Sequence, residues 1–325
     1  MSSPPLAMPA KQTHPALTIP LWLVMLGLGA ATLFSLLGRM HWFLELFTHF
    51  PLQLACALLA VTAAALILRR WKLAAIAVLS LLPNLLALTY YFPSSAYSGE
   101  APDLRTVSYN VLTSNRSYEE VLTYLRNSKA DLLFVMETNP KWVEALTPLQ
   151  AHYPYTVKVP RNDNFGMVLL SRHPIVWHEL HQFGGTSVPL VHAVVDLNGR
   201  SIDLIGCHPP PPLGARMSSS RNAYLKKLSE ITGNTQNPTV VLGDFNATIW
   251  SPFLRDFLKA TSLHDTGHRH GFQSSWRRYN PLFSIPIDHV FHNDGLTCTS
   301  RQIGPALGSD HRPLIVEFAY RGDAL

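Results

Sequence analysis

Long apolar runs dominate the first hundred residues and short ones the remainder, so the chain divides into two regimes of hydrophobic patterning. Residues 17–38, 50–68 and 73–92 contain no Asp, Glu, Lys or Arg. Each run is close to the ~20 residues needed to cross a bilayer core of about 30 Å, and the pattern predicts three membrane-spanning helices. No small-x-small cleavage pattern follows the first run, which argues against a signal peptide. Pro83-Asn84 predicts a kink in the third span. Trp22, Trp42, Trp71, Tyr90 and Tyr91 fall near span ends, where amphipathic rings favour the interface. The second short loop holds Arg69, Arg70 and Lys72 against a single Arg39 in the first. That bias places the second loop and the N-terminus, with Lys11, in the cytoplasm and everything after the third span outside it.

Residues 93–103 (PSSAYSGEAPD) read as a linker. The expected organisation is a tail over 1–16, a three-helix transmembrane region over 17–92, that linker, a catalytic domain over 104–320 and a tail over 321–325. From residue 104 short apolar runs alternate with amphipathic stretches, the pattern of an α/β or α+β domain. Strands are predicted at LRTVSYNV (104–111), DLLFVM (131–136), FGMVLLS, PLVHAVVDL, SIDLIGC, TVVLG, IDHVFH and RPLIVEFAY. Ser117 to Glu120 form a capping box opening a helix to about Ser128. Asn139-Pro140 supply an N-cap and first helical residue, and a further helix is expected over about 215–232.

Composition adds two constraints. Of 325 residues 47% are hydrophobic and 14% charged, against about 25% charged in soluble domains. The net charge of +5 is uneven: residues 1–100 carry five Lys/Arg and two acids, leaving 21 of 26 bases and 19 of 21 acids for the rest. A net of +2 on the C-terminal part disfavours a dedicated grip on duplex DNA, which needs a stronger positive field. Three cysteines make no disulfide framework; they are expected as packed small hydrophobes, with a Cys207–Cys298 bridge open.

Polar residues recur directly after the apolar strand runs: Asn110, Glu137, His208 and Asp244. Singly, each has a structural reading as a turn, cap or strand-end residue. Together they look like one site on the rim of a sheet. The sequence here resembles the endonuclease/exonuclease/phosphatase superfamily of metal-dependent phosphoesterases, over roughly 104–320. The resemblance rests on SYNV (108–111), VMET (135–138), LLSRHPI (169–175), CHPPPP (207–212), GDFNAT (243–248), IDHV (287–290) and SDHRP (309–313). It implies a four-layer sandwich of two mixed β-sheets flanked by helices. It also implies Mg²⁺, with Mn²⁺ an alternative, because a hard cation prefers oxygen ligands. Glu137 resembles the principal metal ligand, with Asn110 and Asp310 beside it. Asp244 resembles the residue that orients or deprotonates water. Asn246 and His208 match donors to the phosphoryl oxygens. His311, supported by Asp288 or Asp310, resembles the catalytic histidine. Two departures stand out: Leu112 replaces an acid that some members have, and His208 lies where some nucleases use Tyr.

The stretch 264–278 (HDTGHRHGFQSSWRR) is expected to overhang the site. His264, His268 and His270 invite a zinc reading, but no thiol or firm spacing supports it. Trp276, Arg277 and Arg278, with Arg172 of LLSRHPI, are the candidate substrate-binding residues. The combined expectation is an integral protein of a bacterial inner membrane with an extracytoplasmic hydrolase domain. Its substrate would be a phospholipid-like or other phosphoester, with no obligate protein partner evident. A nuclease would use the same residues. A non-catalytic scaffold is disfavoured by the joint presence of Glu137, Asp244, Asn246, Asp310 and His311.

Overall fold

Eight apolar runs of the C-terminal part become the interior strands of two sheets. A computed structural model describes residues 15–93, 100–182, 187–276 and 280–321. Its strands are β1 (Leu104–Asn110), β2 (Leu132–Met136), β3 (Tyr155–Val159), β4 (Met167–Ser171), β5 (Ile175–Gln182), β6 (Pro189–Leu197), β7 (Arg200–Cys207), β8 (Thr239–Asp244), β9 (His264–Asp265), β10 (Asp288–His292), β11 (Leu296–Ile303) and β12 (Leu314–Tyr320). Its α-helices are α1 (Pro15–Leu36), α2 (Trp42–Glu45), α3 (Pro51–Ile67), α4 (Trp71–Leu88), α5 (Tyr118–Asn127), α6 (Pro140–Ala145), α7 (Ala215–Gly233) and α8 (Pro252–Thr261).

Both sheets are mixed and six-stranded, in the orders β11-β12-β1-β2-β4-β3 and β5-β6-β7-β8-β10-β9. Strands β1 and β2 pair in parallel, as do β7 and β8; the remaining pairings are antiparallel. The sheets pack face to face through a core that includes Phe134, Met136, Leu169, Val191, Leu204, Leu242, Val290 and Val316. Contact is close where Gly206 faces Phe134, since a Cβ on Gly206 would lie 2.3 Å from the ring. Helices α5 and α6 cover the outer face of the first sheet through Val121, Leu125 and Trp142. Helices α7 and α8 cover the second through Tyr224, Leu228, Leu254 and Phe257. The result is the four-layer sandwich.

Local signals fared unevenly. Asn139 is extended and its side chain accepts from the Trp142 N–H, as an N-cap should. Ser117 makes no capping bond. Its backbone N–H instead donates to Asn115 Oδ1, so an Asx turn replaces the expected capping box. All three cysteines are free, which settles the Cys207–Cys298 question.

In the N-terminal region, Thr18–Leu36 and Trp71–Tyr91 are each long and apolar enough to cross a membrane. The middle run departs from expectation: Trp42–His49 and Pro51–Ile67 meet at 71°, so the region offers two spans, or three if the bent pair counts as one. The break sits at Phe50, just before Pro51 opens a new helix. Small residues Ala55, Ala65, Ala74 and Ala77 let α3 and α4 approach closely. Buried Asn84 donates to Thr32, tying α4 to α1. Pro83 lies inside α4.

The helical region is fastened to the sandwich through the segment after α1 and the end of α4. Glu45 and Arg221, both fully buried, form an ion pair at 2.5 Å. Ser251 donates to the same carboxylate at 2.6 Å. His49 Nδ1 lies 2.9 Å from Thr248 Oγ1. The Trp250 indole donates to the Ala87 carbonyl, and the Tyr90 hydroxyl to Asp265. Arg39 pairs with Asp256 at the surface.

Candidate active site

Parallel pairing in each sheet brings strand ends to one rim. Asn110 ends β1, Glu137 follows β2, His208 follows β7 and Asp244 ends β8, all at C-terminal ends. Strand β10 runs antiparallel to β8 with Asp288 opposite Asp244, so its first residue arrives at the same rim. The turn before β12 delivers Asp310 and His311, anchored where Ser309 Oγ donates to the Asn110 carbonyl at 2.7 Å.

These residues form one hydrogen-bonded group. The Asn110 amide donates to Glu137 Oε1 at 3.0 Å and to Asp244 Oδ2 at 3.2 Å. The Thr113 N–H donates to Glu137 Oε2 at 3.1 Å. The Asn246 N–H donates to Asp244 Oδ1 at 2.8 Å, and its side-chain amide to the Pro209 carbonyl at 3.0 Å. His311 Nδ1 meets Asp288 Oδ2 at 2.8 Å, while its Nε2 lies 3.6 Å from Asp244 Oδ2. His208 Nε2 approaches the same Asp244 oxygen at 3.5 Å.

The backbone is strained where it presents these groups. Glu137 has φ +60°, Asn246 +50° and Leu112 +63°, all in the left-handed region. Such conformations cost on the order of 1–3 kcal/mol each for non-glycine residues and cluster at functional sites. Gly243 has φ +150°, and a Cβ there would lie 1.8 Å from the Cys207 carbonyl oxygen. A glycine is therefore needed immediately before Asp244.

Electrostatics separate the protonation states. Burial alone would push His311 down, but Asp288 and Asp244 outweigh it and raise it to about 10. Burial would push Asp244 up, but His311 and His208 hold it down to about 2. His208 is likewise raised, burial being overcome by Asp244 and Glu137. An ionised carboxylate thus sits between two imidazoles that favour the cationic form.

Three polar atoms of the group lack hydrogen-bond partners: His208 Nδ1, Asp288 Oδ1 and Asp310 Oδ1. Buried polar groups are satisfied as a rule, so such atoms mark where a ligand, ion or water belongs. Two donor sets could hold a cation. Asp244, Asp288 and His311 offer ligand atoms within 4.8 Å of one another. Glu137, Asn110 and Asp310 supply oxygens only, as a hard cation requires. In the first set the His311–Asp288 bond and the raised His311 oppose a metal.

Trp276 reaches the site, its indole donating to Asp310 Oδ2 at 3.0 Å. Arg172 does not. Because β4 runs antiparallel to β2, Ser171 lies opposite Leu132, and Arg172 emerges at the end of the sheet away from Glu137. Its guanidinium instead covers the Tyr153 ring. Arg277 and Arg278 lie outside the described residues. Among the described residues the three loop histidines form no metal-ligating group; His264 meets Asp294, and His268 packs on Tyr90. Thr113, which holds Glu137 through both backbone and side chain, was not singled out by sequence. Its position three residues after Asn110 was the available signal.

Residues 107–311 match the model of the Endonuclease/Exonuclease/phosphatase family. A UPF0294 protein of Yersinia pseudotuberculosis (serotype O:1b, strain IP 31758) is 26% identical over 232 residues, covering 66% of this chain and 83% of that protein. Among solved structures, TDP2 from D. rerio complexed with a single-strand DNA product is 16% identical, with TM-score 0.55, covering 66% of this chain and 98% of that one. A beta toxin mutant from Staphylococcus aureus with bound magnesium ions is 18% identical, with TM-score 0.52, covering 66% and 99%. Likeness at these identities concerns the fold.

Proposed function

The chain belongs to the endonuclease/exonuclease/phosphatase family, and on that premise we propose that it is a Mg²⁺-dependent phosphoester hydrolase built on a membrane-embedded helical region. The observation that carries this reading is the single rim on which Asn110, Glu137, Asp244, Asn246 and His311 converge. Glu137, Asn110 and Asp310 would hold the ion. Bound there, Mg²⁺ supplies Lewis acidity and a template for the phosphoryl oxygens.

The protein groups divide the remaining work. Asp244, ionised across the neutral range, orients an attacking water and accepts its proton. His311, held in place by Asp288, stays protonated at neutral pH and faces the phosphoryl group as a charged donor. That charge favours a phosphate clamp over a general base. His208 and the Asn246 amide are the fixed neighbouring donors, and the prolines at 209–212 stiffen the segment after His208. Trp276 shapes the substrate side of the Asp310 turn.

Membrane residence is supported by the large apolar side chains that the helices turn outward, among them Ile19, Leu23, Leu33, Leu79 and Leu86, each more than half exposed. A domain held against such helices suits a phospholipid-like or other extracytoplasmic phosphoester. The D. rerio TDP2 complex with a DNA product supports a second reading, a nuclease with the same rim. The deciding experiment assays the full chain with Mg²⁺ against phosphodiester lipids, DNA and simple phosphomonoesters, with Glu137→Gln as control. Glu137→Gln should lose more than the roughly 10–100-fold typical of losing a metal's outer-shell partner. Full activity of the wild type in excess chelator would overturn the metal-dependent reading.

A further inference from the structure

The segment between the first and second long apolar runs does more than reverse the chain. From Trp42 to His49 it enters the sandwich and meets the loop that carries Asn246. That loop leaves β8 at Asp244 and reaches α8 at Pro252. Two of its anchors belong to the sandwich: the Phe245 N–H donates to the Ile287 carbonyl, and His289 Nε2 meets the Ala247 carbonyl at 2.9 Å. Beyond Ala247 the side-chain hydrogen bonds come from the helical region, and Trp250 also stacks on Phe272 of the sandwich part. Thr248 meets His49, Trp250 meets the Ala87 carbonyl, and Ser251 meets Glu45.

The chemistry at His49 is defined. Its Nδ1 accepts the Thr248 backbone N–H at 3.3 Å and also faces the Thr248 hydroxyl. An N–H can only donate, so the ring is neutral at Nδ1 and carries its proton on Nε2. At Glu45 one carboxylate oxygen takes Arg221 and the other takes Ser251, and all three residues are buried. Ser251 in turn caps α8 by accepting from the Phe253 N–H. The loop between strand and helix is therefore held from two sides: its first part, with Asn246 at φ +50°, by the sandwich, and its part after Ala247 by bonds from the helical region.

We propose that Glu45 and His49 are positioning residues of the active site, bracing the 245–251 loop so that Asp244 and Asn246 keep their working geometry. This rests on the phosphoesterase reading above. It makes the helical region a structural part of the catalytic unit, where a tether would leave the loop unchanged.

The test uses the full chain in detergent or nanodiscs, with wild type, His49→Ala and His49→Asn. Asn places an acceptor oxygen near the position of Nδ1 and should rescue what Ala loses. In His49→Ala, amide exchange should accelerate in peptides spanning 245–251 and stay unchanged in peptides spanning 155–171 on the first sheet. The value of kcat should fall at least about tenfold, within the roughly 10²-fold that a misplacement of about 1 Å causes, while KM holds. Unchanged exchange at 245–251 overturns the proposal. So does a loss of kcat that His49→Asn does not restore. If His49→Ala loosens the whole domain, Thr248→Val, which removes the hydroxyl contact to His49 and leaves the α8 cap intact, must still accelerate exchange across 245–251 or the brace is refuted. If the wild type hydrolyses no phosphoester, the reading of the site fails, and exchange at 245–251 alone still decides the brace.

Discussion

The His311 imidazole lies between two carboxylates, with Nδ1 2.8 Å from Asp288 and Nε2 3.6 Å from Asp244. Asp288 stands opposite Asp244 in the β8–β10 register, so the spacing of the two acids is set by the sheet itself. A cation held this way keeps its proton far into the alkaline range, because losing it would leave two buried anions facing each other.

This sets the expected pH profile. With His311 raised to about 10, activity that needs the imidazolium should hold through neutral pH and fall as pH rises through about 10. Asp288→Asn should shift that alkaline limb to lower pH, and His311→Ala should abolish it. The same shift adds stability that is complete below 6.5 and lost on approaching about 10. Asp244 acts in the opposite sense, its contribution present above 3.8 and lost as pH falls through about 2. An alkaline limb unmoved by Asp288→Asn would remove His311 from the clamp role.

His208 should behave differently from His311. Its Nδ1 has no partner and the segment that follows is proline-rich, as suits a fixed donor. His208→Ala is expected to lower the rate about 10²–10³-fold and to leave the alkaline limb in place, while the acid limb moves up as Asp244 loses a cationic neighbour. Rate–pH profiles of the two alanine variants measured side by side check this; a missing limb in His208→Ala would exchange the two assignments.

Gly243→Ala should damage the fold before it damages the chemistry. A Cβ there lies 1.8 Å from the Cys207 carbonyl oxygen, between two parallel strands that cannot separate without breaking their ladder. A loss of about 3 kcal/mol corresponds to a Tm lower by roughly 6–12 °C for a domain of this size. A thermal scan of the purified variant giving an unchanged Tm would show that the strands can yield at this point.

Orientation is accessible to labelling. In a Cys56→Ser background, Ala101→Cys, exposed just before β1, should react with a membrane-impermeant thiol reagent in intact cells. The basic loop at Arg69, Arg70 and Lys72 motivates the expectation. Reaction only after lysis would place the hydrolase domain in the cytoplasm.

What could be read from sequence follows a physical line. The eight strands legible as apolar runs, β1, β2, β4, β6, β7, β8, β10 and β12, are the interior strands. The four that were missed, β3, β5, β9 and β11, are the four sheet edges. Interior strands are covered on both faces and need continuous hydrophobicity; edge strands such as IVWHELHQ are largely exposed and carry no such pattern. The rim residues were legible because each directly follows a buried strand or lies within a specific motif. Arg172 was misplaced because motif proximity says nothing of strand direction. Glu45 and His49 were invisible for another reason: their partners lie about 200 positions away, at |i−j| of 176 for Arg221 and 199 for Thr248. The left-handed backbone at Glu137 leaves no trace in residue type either.

The Glu45–Arg221 pair also fixes an order of events during biosynthesis. Arg221 is made 176 residues after Glu45. At about 5–20 residues per second the ribosome needs roughly 9 to 35 seconds to supply the counter-ion. Throughout that interval the acid must remain in contact with water, since an unpaired buried carboxylate is too costly to hold. The apolar helices can therefore form early, but the Trp42–His49 segment reaches its final place only after α7 has emerged, and the nascent chain matures from its last half back onto its first.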